Sequence, residues 1–130
     1  MTIKDRILAA MTWGEPDRIP LMDGNLKSLQ REIGEATFDI VEAMTPPPMG
    51  DVSVREARES WPGKALWINF TSSMHIEPPA AIEAHARSLV EEAGSRRGFA
   101  ISVTEDAPVE ALEKTLAIIA RVLREHGSGS

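Results

Sequence analysis

Four ionisable residues stand within or just after short apolar runs of the chain: Asp23, Glu42, His75 and Glu105. Carboxylates grouped with one imidazole make an oxygen-rich or mixed metal site, and an imidazole near neutral pH can also serve as a general base. Each has a plainer reading. Asp23 suits a helix cap or turn, Glu42 a hydrogen-bonded interior carboxylate, and His75 an ordinary loop histidine. The pattern assigns no metal and no cofactor. With no cysteine in the chain, disulfides, thiolate metal sites and a cysteine nucleophile are excluded. Ser72 and Ser73 lack the glycine pattern of a nucleophile elbow, and Gly94 to Gly98 precedes a strand-like run where a phosphate loop would open a helix. His85 lies beside the Ile82–Leu89 stripe and reads as structural, and His126 falls at the end of the last helix.

The elements that must position these residues alternate regularly. Thr2 with Asp5 forms a T-x-x-D capping box ahead of a helix bearing Ile3, Ile7, Leu8 and Met11, which Gly14 and Pro16 end. A first strand reads Arg18 to Asp23. Leu26, Leu29 and Ile33 then mark a helix that Gly34 is expected to stop. Phe38 to Met44 is the second strand. The prolines of Thr45 to Gly50 exclude helix and ladder there, and Ser53 with Glu56 caps a short helix carrying Val54, Ala57 and Trp61. Ala65 to Phe70 is the third strand, Pro78 and Pro79 open a helix to Ala93, and Gly98 to Val103 is the fourth strand. Asp106 and Pro108 open a last helix with the stripe Val109, Leu112, Leu116, Ile119 and Leu123.

This order, one helix and then four strand–helix units, implies parallel strands joined by right-handed crossovers. Strands so continuously apolar imply cover on both faces. An open flavodoxin-like sheet satisfies the same pattern. A chain of 130 residues is one ordinary domain, here placed at residues 1–126, with Gly127-Ser128-Gly129-Ser130 read as a linker outside the fold. The net charge of −6, without a basic run, disfavours nucleic acid and anionic membranes as partners. No apolar run approaches the roughly 20 residues of a membrane span, and no signal peptide is seen, so a cytoplasmic protein is expected.

Several stretches resemble the uroporphyrinogen decarboxylase superfamily, which includes cobalamin-dependent methyltransferases. Asp5 to Ala10 followed by Glu15-Pro16-Asp17-Arg18-Ile19-Pro20 is similar to its opening helix and first strand. Met22 to Asn25, Ile40 to Asp51 and Ala65 to Phe70 are similar to the C-terminal part of its members, the run Thr45-Pro46-Pro47-Pro48-Met49-Gly50-Asp51 most specifically. Such proteins are β/α barrels more than twice this length. The resemblance therefore implies a (βα)4 half-barrel with an extra N-terminal helix.

Four parallel strands leave two unpaired edges and a bare inner face, whereas eight close a TIM-like barrel. Two copies about a two-fold axis supply eight, so a homodimer is expected. In β/α barrels the chemistry sits at the C-terminal strand ends. Those ends carry Asp23 and Asn25, Glu42 and Thr45, Asn69 with Thr71 to His75, and Ser102 to Asp106. The positions matching the methyltransferase zinc motif are Leu21 and Asp23, and Leu21 binds no metal. The arginine-rich segment that holds the decarboxylase's acidic substrate has no counterpart beyond Arg18. The leading expectation is thus a self-associating half-barrel with no enzymatic activity readable in its residues. The alternative is a small-molecule binder or metal-assisted lyase or methyltransferase-like enzyme using Asp23, Glu42, His75 and Glu105 at a shared mouth. A subunit that requires a different half as partner is the third possibility.

Overall fold

The computed structural model describes residues 25–103 and 107–127, together with Thr2, Asp5, Leu8, Ala9 and Gly14. The strand expected at 18–23, Asp23 and Glu105 lie outside the described residues. Among these, four α-helices and three parallel strands form a mixed α/β structure: α1 (Gln30–Glu35), β1 (Ile40–Met44), α2 (Val54–Ser60), β2 (Ala65–Asn69), α3 (Pro79–Ala93), β3 (Phe99–Ser102) and α4 (Val109–Gly127). Single 3-10 turns, Lys27–Leu29 and Ser72–Ile76, precede α1 and α3. The strands lie side by side in chain order, β1-β2-β3.

Local chemistry sets the helix starts. At the N-terminus the Asp5 carboxylate accepts from the Thr2 N–H at 2.8 Å, and Thr2 Oγ1 accepts from the Asp5 N–H at 3.1 Å. Ser53 and Glu56 make the same reciprocal pair at 3.1 and 2.9 Å, which opens α2. Pro79 occupies the first turn of α3, where a missing N–H costs nothing. Gly94, at φ 67°, ends α3 in the left-handed conformation that a side chain resists. Gly34 does not stop α1, which runs on to Glu35. It makes room instead, since a Cβ there would lie 3.2 Å from Trp61 Cδ1.

One core joins the helices to one face of the sheet. Val41, Met44, Leu66, Ile68 and Phe70 pack with Ile33, Val54, Ala57, Trp61, Ile82, Ala86, Leu89, Ile119 and Val122. On the opposite face Ile40 is 44% and Trp67 47% exposed, while Asn69 at the strand end is buried. Among the described residues the cover expected on both faces is seen on one, because the described helices packed on the sheet share a side. Side chains stitch the connections to this core. Trp61 Nε1 donates to Gln30 O at 2.7 Å. Lys64 Nζ donates to Ala36 O and Phe38 O, each at 2.7 Å. Arg58 donates to the carbonyls of Ala93, Ser95 and Arg97.

The last helix differs from its expected stripe. Thr115 and Val122 are fully buried and Ile119 nearly so, while Val109, Leu116 and Leu123 are exposed. Its apolar arc is wide, running from Ile118 round to Val109; among the described residues α4 packs against α3 and the turn Ser72–Ile76, and part of that arc stays open. Buried Thr115 satisfies its hydroxyl by donating to Ala111 O at 3.0 Å. Outside this contact Glu83 bridges Arg87 and Arg121, and Arg87 also reaches Glu125. These are surface pairs of small energetic weight.

A bulge interrupts the β1–β2 ladder. Glu42 pairs with Trp67 and Met44 with Ile68, leaving Ala43 as the extra residue with φ 58°. The bulge lets Val41 and Met44, three apart, both face the core, and it puts Glu42 and Ala43 outward together. The left-handed conformation costs an alanine about 1–2 kcal/mol, and glycine adds about 0.4–1 kcal/mol of unfolded-chain freedom. Ala43→Gly is therefore expected to stabilise the chain by about 0.5–1 kcal/mol, read as a raised urea midpoint at unchanged slope. A lowered midpoint would show that this backbone is unstrained.

Candidate functional site

The C-terminal ends of the three strands are joined by one polar relay. Asn69 Nδ2 donates to Ala43 O and to Thr45 Oγ1, each at 3.1 Å. Ser102 Oγ donates to Ile68 O at 3.0 Å and toward Asn69 Oδ1 at 3.4 Å. Asn69 and Thr45 are buried, so these bonds fix the relative heights of the strand ends and the path of the bulge. Asp51, from the proline-rich run, turns away from the sheet. Its Oδ1 accepts from the N–H groups of Leu26 and Lys27 at 2.7 and 3.1 Å, anchoring the entry to α1.

Glu42 and His75 lie on opposite sides of the sheet. Glu42 is exposed on the uncovered face, beside Trp67 in the ladder, and is not the interior carboxylate of the plainer sequence reading. His75 is fully buried in the 3-10 turn after β2, its ring centroid 5.5 Å from that of Phe70. Phe70 belongs to the helix-covered core, as do Leu66 and Ile68 before it. The reason is local: the turn Ser72–Ile76 folds back under the strand end and tucks His75 inward, leaving Ile76 in solvent at 72% exposure. With Asp23 and Glu105 outside the described residues, no group of three or more His, Asp or Glu that could hold a metal occurs among the described ones.

A second imidazole meets the same ring. His85, on α3, lies edge-on to Phe70 with centroids 5.1 Å apart. Its Nε2 and the nearby Thr71 Oγ1 are buried and make no hydrogen bond among the described residues. Burial holds the His85 pKa below the usual histidine value, with Glu92 pulling weakly the other way. The unfolded chain therefore takes up this proton first. Stability is complete above the unfolded value of about 6.5 and falls as pH drops from there through the lower folded value. Urea midpoints are expected to decline between pH 7.5 and 5 in the wild type and to decline less in His85→Gln. Equal declines in both would assign the effect elsewhere.

The strand-end positions of Thr45, Asn69 and Ser102 are legible in the chain, but their joining into one relay and the exposure of Trp67 are not. Trp67 reads as packing or interface, and only the alternation Ala65, Trp67, Asn69 hints that these three share a face. At the other end of the sheet, a cleft of about 610 Å³ opens between the ends of α3 and α4, lined by Val90, Phe99, Leu123, Arg96 and His126 among others. No helix among the described residues is long and apolar enough to cross a membrane. Comparison with protein-family models, with curated proteins and with solved structures finds no match to this chain.

Proposed function

We propose that this chain is a stand-alone half-barrel of the uroporphyrinogen decarboxylase kind that pairs with a second copy of itself, with assembly and not turnover as its readable property. The observation that carries the reading is the one-sided sheet. Among the described residues the strands lie in chain order, the helices sit on one face and Trp67 is 47% exposed at the centre of the other, as in half of a β/α barrel. A doubly wound, flavodoxin-like sheet would instead place helices on both faces. Beyond β3 no strand follows among the described residues, and an unpaired edge there is a template for another chain. Two copies, each contributing the described strands and the run at 18–23, would supply eight strands and leave no edge.

The enzyme-like alternative draws support from Glu42, exposed at a strand end. It draws none from His75, which is buried on the covered side. Light scattering after size exclusion tests the proposal directly. Twice the chain mass of 14.2 kDa, persisting on dilution, is the expected result. A folded species of single-chain mass at every concentration would end the pairing reading, and a chain that folds only with a different partner would replace it.

A further inference from the structure

We infer that the open face of the sheet is a binding site for a small organic cation, with Glu42 and Trp67 as its two recognition groups. They are ladder partners on adjacent strands, about 4.8 Å apart along the hydrogen-bonding direction, and both are exposed. A carboxylate beside an indole is a matched pair for an alkylated ammonium: the charge faces the carboxylate while the alkyl groups lie against the negative face of the ring. Among the described residues Glu42 makes no hydrogen bond and no ion pair.

The surroundings favour an organic ion over a metal. Trp67 is flanked on its face by Ala65 along the strand and by Ala100 across the ladder, and Ile40 lies next to Ala65. Small and apolar neighbours give room and contact to methyl groups, and the amide of Asn69, next on this face, is already engaged with Ala43, Thr45 and Ser102. One carboxylate alone does not dehydrate a divalent cation. The net charge of −6 raises the local concentration of any cation. This site needs only the open face of one chain and does not rest on pairing. In a closed barrel the same face lines the interior, where an unpaired Glu42 would be costly and a cation would offset it.

Choline and its neutral isostere 3,3-dimethyl-1-butanol, titrated by calorimetry into the full chain, separate charge from shape. Saturable choline binding is expected, weakened about tenfold or more for the isostere and for Glu42→Gln, and lost in Trp67→Leu. Both substituted positions are exposed, so the melting temperature of each variant should stay near that of the wild type. No saturable heat, equal affinity for the isostere, or unchanged affinity in Glu42→Gln would each overturn the site. Running the titration beside the mass measurement keeps the two ideas apart. Binding by a single-chain species retains the site and ends the pairing, whereas a paired species that ignores choline does the reverse.

Discussion

Phe70→Ala is expected to remove about 3–5 kcal/mol of stability, a large share of the about 5–15 kcal/mol typical of a domain. The ring is 1% exposed at the end of β2 and meets two imidazoles, His75 at 5.5 Å and His85 at 5.1 Å between centroids. Truncation leaves a cavity bounded by rigid elements, the strand end, the 3-10 turn and α3, which cannot close without breaking the turn. A second consequence separates this from generic loss of core. With the ring gone water reaches His85, whose pKa should move back toward its ordinary value, so the fall in stability on acidification should flatten. Urea unfolding of Phe70→Ala and Phe70→Leu at pH 7.5 and 5 measures both effects. A loss below about 1 kcal/mol for alanine, or a pH dependence identical to the wild type, would mean that Phe70 does not shield His85.

Trp67→Glu is expected to act in the opposite way, leaving the single chain nearly as stable while abolishing self-association. Trp67 is 47% exposed, and exposed substitutions change stability by about 0.5 kcal/mol or less. Under the proposed pairing its indole is buried against the second copy or within the closed interior. Glutamate there adds a second carboxylate to Glu42 of each chain, and buried like charges are costly. The scattering mass should fall from twice the chain mass to the chain mass, with the far-ultraviolet circular dichroism spectrum unchanged. Retention of the paired mass would show that the open face is not the contact surface and would turn attention to the exposed row Val109, Leu116 and Leu123 on α4. Substitution at Phe70 thus reads the covered side of the sheet, and substitution at Trp67 the uncovered side.

Much of the local structure is legible in the residues. The capping pairs Thr2–Asp5 and Ser53–Glu56, the helix Pro79–Ala93 and the three strands at 40–44, 65–69 and 99–102 lie where composition and spacing put them. These features are closed by interactions a few residues long, so the chain carries their signal locally. The candidate site is legible only in part. Glu42 is recognisable as a carboxylate near a strand end that alternates outward from Val41, but the bulge at Ala43, which returns Met44 to the core, is announced by no pattern in Ile40 to Met44.

What only the tertiary structure decided shares one physical cause, which is that burial is settled by elements distant in sequence. Gly34 resembles a helix stop, yet it continues α1 because Trp61, 27 residues later, needs the space of its missing side chain. His75 resembles a loop histidine, yet the packing of Phe70 and α3 takes it wholly out of water. The apolar arc of α4 is wider than its contact with α3 and the turn Ser72–Ile76, so among the described residues the same pattern serves both a buried and an exposed row. The strands are apolar enough for two covered faces, but the described helices cover one. By itself the sequence determined which segments are strand and helix and how they begin. The three-dimensional packing decided which face of each is buried, and so left Glu42 and Trp67 side by side in the open.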